Sequence, residues 1–223
     1  MNTTNRTIVS RRSRPAKAPL SQEVIVKTAL ELLRKEGSSG LSMRKIAKVL
    51  DTGPSSLYVY VTNLQELNAY VLDLGLEEVL LPDVHAEDWK KELFDFLKSY
   101  LDVLYQFPGL AALVQTTISV GPNSLAITEC ILQLLNRAGI HSTAAAWGSD
   151  LFLFYAASVA FEQSSRDQNG TTLTSIAAFY QSLDAERYPV TASLKEEMLS
   201  GGEDRFRWGL EVILQGILQR AGS

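Results

Sequence analysis

The sharpest alternation of apolar and polar positions lies between residues 41 and 67. Met43, Ile46, Ala47 and Leu50 recur at i, i+3, i+4 and i+7, which places them on one face of a short helix. Arg44, Lys45 and Lys48 fall on the other side. Ser42 is positioned as its N-cap, where a hydroxyl accepts a bond from an otherwise unpaired amide. Asp51 stands where the chain must turn, and Asp tolerates left-handed backbone better than most residues. Gly53 can cap a second helix with Pro54 at its first position, where the missing N–H would have had no partner. That helix is predicted over residues 54–61, with Leu57 and Val61 inward and Ser55, Ser56, Tyr58 and Tyr60 outward. Asn63 caps the next helix, with Glu66 three residues on in a capping-box relation. Two short helices, a tight turn and the start of a third form the layout of a helix-turn-helix DNA reader.

The same periodicity predicts helices through the rest of the chain. One covers residues 21–36, with Ile25, Ala29, Leu32 and Leu33 on a stripe, and stops at Gly37. A linking helix covers about 63–81 and ends at Pro82. Asp88 caps a helix with Trp89, Leu93, Phe96, Leu97, Tyr100 and Leu104 inward. Further helices are predicted over about 108–117, 122–138, 142–165, within 171–186, and over 203–220. No run carries a strand or hairpin signal, and no repeat is evident. The class is therefore all-α. A disordered arm (1–20) precedes a three-helix helix-turn-helix DNA-binding domain (21–67), followed by a larger C-terminal helical domain (68–223).

Charge sharpens this division. Residues 1–70 hold eleven Lys/Arg and five Asp/Glu, whereas the remainder holds ten and twenty, so a net charge of −4 conceals a basic head on an acidic body. A basic face attracts phosphates and releases counterions, while an acidic body is repelled by the duplex. The arm is rich in Thr, Ser, Asn, Arg and Pro, and Arg11, Arg12, Arg14 and Lys17 make it a candidate minor-groove or phosphate contact.

Other chemistry finds little support. The most apolar stretch, residues 151–161, is short of the ~20 residues that span a bilayer, so no membrane partner is expected. The polar N-terminus lacks a signal-peptide core, and the single Cys130, in an apolar helix pattern, fits a small hydrophobe in a reducing cytoplasm. His85 and His141 are the only histidines, and there is no phosphate loop, HExxH, CxxC or nucleophile elbow. An enzyme, a metal site and a cofactor are not expected.

The residues of the 41–67 stretch resemble the TetR family of bacterial one-component transcriptional regulators. Ser42, Arg44, Ile46, Ala47, Leu57, Tyr58, Tyr60, Val61, Asn63 and Leu67 stand in register with the family pattern. Asp51 replaces the usual turn Gly, Thr52 the usual Val, and Leu64 a Lys that commonly touches phosphate. Residues 136–140, and 206–210 with Gly216, are similar to the ligand and dimer domain of the tetracycline-repressor-like branch. The resemblance implies a homodimeric repressor, released from a palindromic double-stranded operator by a small-molecule effector.

In that reading Arg44 is the base-contact candidate, because a guanidinium binds guanine bidentately. Ser42, Lys48, Pro54, Ser55, Ser56, Tyr58, Tyr60, Thr62 and Asn63 complete the DNA-binding set, mainly on phosphates. Small residues recur in two late helices, at Ala145, Ser149, Ala156 and Ala160 and at Gly209 and Gly216. With Ile213 they form the expected dimer face. Phe107, Gln115, Thr116, Trp147, Phe152, Tyr155, Phe161 and Glu162 offer aromatic walls and polar groups for an effector cavity. Two alternatives stand beside this: a helix-turn-helix regulator controlled by a protein partner, and a helical binding protein or enzyme whose DNA motif is vestigial, for which Leu64 is the support.

Overall fold

Residues 19–107, 109–119 and 121–221 are described in the computed structural model, and no strand occurs among them. Helix α1 (Gln22–Glu36) begins where the Ser21 hydroxyl accepts from the Val24 amide at 3.3 Å. It buries Ile25, Ala29 and Leu33 completely. Gly37, at φ 63°, ends it and opens a 3-10 turn (Gly37–Gly40) that leads to α2 (Met43–Val49). The reading motif closes with α3 (Pro54–Leu57).

Helix α3 is shorter than the predicted 54–61. Its last turn loosens after Leu57, and the Val61 amide bonds back to the Leu57 carbonyl at 3.1 Å. The alternation of aromatic and β-branched residues from Tyr58 to Thr62 explains this, since such side chains lose rotamer freedom against a preceding helical turn. Helix α4 (Leu64–Gly75) also stops early and continues as a 3-10 turn (Leu76–Glu78), so the linking segment leaves helical form before residue 80. Pro82 disfavours helical backbone at Leu81, and the Leu80 amide is taken by the Ser99 hydroxyl at 3.2 Å.

The body consists of α5 (Trp89–Gln106), α6 (Leu110–Thr116), α7 (Pro122–Arg137), α8 (Ser142–Gln168), α9 (Leu173–Gln181), α10 (Pro189–Ser193), α11 (Lys195–Leu199) and α12 (Gly202–Ala221). Asp88 caps α5 by accepting from the Lys91 amide at 2.9 Å. Helix α8 is the axle of the body, packed against α5, α6, α7 and α12. The apolar stretch read as 151–161 belongs to this 27-residue helix, which is long and apolar enough to cross a membrane by length and composition. Its four helical neighbours cover one side of it, burying Phe152, Ala156, Ala157 and Ala160 as core. Two short helices, α10 and α11, were not predicted; with α9 they form a lobe in which no residue of the three helices is buried.

One apolar core runs from Ile25 in the head to Ile217 in the body. The junction is tight. Gly109, at φ 89°, lies so close to the 3-10 turn that a Cβ there would meet Leu33 Cδ1 at 2.6 Å and the Ser38 amide nitrogen at 2.8 Å. The Arg34 guanidinium lies over the Phe107 ring, 4.2 Å from its centroid, and pairs with Glu78.

Candidate nucleic-acid interface and cavity

The turn between α2 and α3 is fixed by short-range bonds. The Ser42 hydroxyl accepts from the Lys45 amide at 3.2 Å. Asp51 takes φ 50°, and the Thr52 amide bonds the Ala47 carbonyl at 2.9 Å. Leu57 and Val61 are buried, so Ser55 on α3, and Tyr58 and Tyr60 just after it, face outward. Arg44 and Lys48 are exposed. Lys45, from the same helix, is instead held against the head by Glu36 and by the Ser39 carbonyl at 2.8 Å.

Three residues of the expected DNA set carry structural bonds as well: Ser42, as just described, Asn63, whose side chain accepts from the Glu66 amide at 2.9 Å, and Thr62, whose amide and hydroxyl meet the Glu66 carboxyl. Glu66 in turn accepts from the Thr62 amide and from the Tyr70 hydroxyl. Chiefly the Thr62 N–H, then the Thr62 hydroxyl and the Tyr70 hydroxyl, hold its carboxyl below the usual range. The outward surface of Arg44, Lys48, Pro54, Ser55, Tyr58, Tyr60 and Thr62 remains available, with Ser56 half-buried beside it. Arg11, Arg12, Arg14 and Lys17 lie outside the described residues.

A cavity of about 300 Å³ opens between α4, α6, α7 and α8. Its apolar wall includes Leu72, Val114, Ile127 and Leu153, and its polar wall Gln115, Thr117, Ser119, Ser124, Thr128 and Asp150. Of the eight residues expected around an effector, Gln115 alone lines this space. Phe107 lies under Arg34, and Thr116 is exposed and donates back to the Ala112 carbonyl. Phe152 is core, with no exposure. Trp147 is 75% exposed on the outer side of α8, and Phe161 is also exposed. Tyr155 stacks on Phe206 at 5.4 Å, and Glu162 pairs with Arg166 at 2.8 Å; both line a separate cleft against α12. The cavity stripe of α8 is Asp150, Leu153, Phe154 and Ala157. The missed residues of α7 did leave a signal: Ser124 and Thr128 stand four apart on a helix that opens with Pro122.

A buried carboxylate ties this cavity to the reading head. Asp73 on α4 accepts from the Ser124 amide and hydroxyl, both at 2.9 Å, and from the Asn123 amide and side chain at 3.4 and 3.3 Å. It therefore caps α7 from another helix, at the end where the helix dipole favours a negative group. Gly121 makes room for it, since a Cβ there would overlap the Asp73 carboxyl. Ser124 both lines the cavity and holds Asp73, so an occupant touching Ser124 touches the helix that carries the head.

The outer side of α8 and α12 corrects the expected dimer face. Ala145, Ser149, Ala156 and Ala160 are buried inside the protomer, because the small-residue stripe of α8 faces its own neighbours. Gly209 is buried too, against the Tyr155 hydroxyl, with no space for a Cβ. Ile213 and Gly216, by contrast, line an apolar groove of about 660 Å³ with Trp147, Leu151, Val212 and Ile217. Among the described residues nothing lies within 4 Å of a Cβ at Gly216. Trp208 adds a second large exposed ring to α12, at 69% exposure.

A reading motif with a polar outer surface, carried on a helix that also walls a cavity, defines a helix-turn-helix DNA-binding regulator. Residues 81–221 match the family described as tetracyclin repressor-like, C-terminal domain. The chain is 31% identical to the HTH-type transcriptional repressor DrrR1 of Streptomyces coeruleorubidus, over 96% of this chain and 84% of that protein. Apo ActR from Streptomyces coelicolor superposes with a TM-score of 0.82 at 36% identity, covering 92% of this chain and all of that one. ActR has also been solved in complex with actinorhodin and with (S)-DNPA. The chain belongs to the TetR family of transcriptional regulators.

Proposed function

We propose that the protein is a homodimeric repressor whose grip on a palindromic operator is released by a small molecule in the α4–α6–α7–α8 cavity. The observation that carries this reading is Ser124, shared between the cavity wall and the buried Asp73 of the head-bearing helix. ActR, similar to this chain over nearly its full length, binds small molecules in its own structures, which supports an effector here. An occupant that draws Ser124 away from Asp73 shifts the population of α4 orientations, and with it the spacing of two heads. Arg44 reads a base, while Lys48, Ser55, Tyr58, Tyr60 and Thr62 hold phosphates. A second copy covers the apolar groove of α8 and α12, because two exposed tryptophans and a continuous aliphatic floor suit a self-complementary interface. The site of action is the cytoplasm, on the chromosome.

Selection of bound duplexes from a random pool, repeated with a metabolite library present, tests this. The expected result is an inverted-repeat sequence bound by a dimer and released by particular compounds. A monomer indifferent to every duplex at low salt refutes it. Control by a protein partner has one observation in its favour, the α9–α11 lobe with Phe179 and Val190 exposed. Ligand-induced thermal shifts in the same library separate the two readings.

A further inference from the structure

Resting on the reading of this cavity as the effector site, we propose that its ligand is a lipophilic cation: a ring system carrying a protonated amine, held by Asp150, with carboxylates and phosphates disfavoured. Four observations lead there. Among the described residues no Lys, Arg or His lines the cavity, so a bound anion meets no counter-charge in the wall they form. The feature of the wall that attracts anions, the first turn of α7, is already taken: its Asn123 and Ser124 amides donate to Asp73. That carboxylate lies directly behind the Ser124 hydroxyl at 2.9 Å and sets a negative group behind the α7 wall. Asp150, on the α8 side, completes the asymmetry. An anion would therefore lose hydration and face two carboxylates, whereas a cation gains a partner at Asp150. The aliphatic and aromatic remainder of the wall, Leu72, Val114, Leu153 and Phe154, suits a fused ring. The Ser119 hydroxyl, bonded to that of Ser124, and the Thr128 hydroxyl, which donates to the Ser124 carbonyl, retain lone pairs that can accept from its polar substituents.

The test uses three probes of one shape and different charge: 1-naphthylmethylamine, 1-naphthylmethanol and 1-naphthoate. Each is titrated into the full-length protein by calorimetry at low salt. The ammonium should bind about tenfold more tightly than the alcohol, and the carboxylate most weakly; Asp150 is solvent-exposed, which limits the gain. The ammonium preference should shrink as salt rises, a measurement that needs no variant. Asp150→Asn should bring the ammonium down to the alcohol's affinity without altering the alcohol, and Asp150→Ser provides the same comparison should the first variant fold poorly. Carboxylate or alcohol binding as tightly as the ammonium overturns the charge assignment and leaves the effector cavity standing. Absence of saturable binding by all three, in protein that still binds duplex DNA, overturns the effector reading of the cavity and the charge assignment with it.

Discussion

Two surfaces formed by the described residues differ in kind. The outer face of α2 and α3 shows Arg44, Lys48, Ser55 and Tyr58 to solvent. The outer face of α8 and α12 shows Trp147, Leu151, Trp208 and Val212. Water satisfies the first almost as well as phosphate does, so exposure alone says nothing about its partner. It is the turn geometry, set by Ser42, Asp51 and Pro54, that marks it as a reader. The second face is costly in water, at roughly 25 cal/mol per Å² of apolar surface, and its chemistry calls for a cover whatever the local geometry. Polar exposed faces must be read by shape, and apolar ones by composition.

The largest expected effect separates the two faces. Trp147→Glu places a charge at the centre of the apolar groove and should yield a monomer by sedimentation. Operator affinity should then fall on the order of 100-fold, because the two heads no longer bind as a linked pair. Arg44→Ala is the converse: the dimer should persist while duplex binding weakens by about 1–3 kcal/mol, with specificity relaxed at one base position. Lys48→Ala should weaken binding more uniformly and lower the salt slope by about 1 in anisotropy titrations. A variant that affects both association and DNA contact to the same degree would erase the distinction.

Asp73→Ala tests the connection between the regions. Removing a buried acceptor leaves the Asn123 and Ser124 donors without their partner, and urea unfolding should show a loss of about 1–3 kcal/mol. The smallest effect belongs to Glu66, whose carboxyl is held below its ordinary 4.5 chiefly by the Thr62 amide. A depressed value means its stabilisation is present above about 4.5 and is lost as pH falls through the folded value. Glu66→Gln should therefore flatten the acid side of the urea-midpoint profile below about pH 4.5 relative to the wild type, by an amount that solvent exposure keeps small.

The head was legible in sequence because its determinants are local. Caps at Ser42 and Asn63, the left-handed Asp51 and the i, i+3, i+4 stripe of α2 each act within a few residues. The body depends on which side of α8 each neighbour covers, and α8 carries apolar residues all round. Phe152, Tyr155 and Trp147 look equivalent in sequence, yet one is core, one stacks on α12 and one faces outward. The small-residue stripe misled for the same reason: small side chains admit a close neighbour without saying whether it belongs to the same chain. Asp73 escaped notice because its partners lie fifty residues away, on a helix whose approach no local pattern announces.

The contact of Gly109 with residues 33–38 bears on how such regulators can be recombined. A hybrid that grafts this reading motif onto a different sensing module through the connecting helix alone would bring an unmatched loop against that turn, and any side chain in place of the glycine would wedge the halves apart. A working chimera has to transplant both sides of the seam, the segment around 37–40 together with the stretch leading into α6, as one unit.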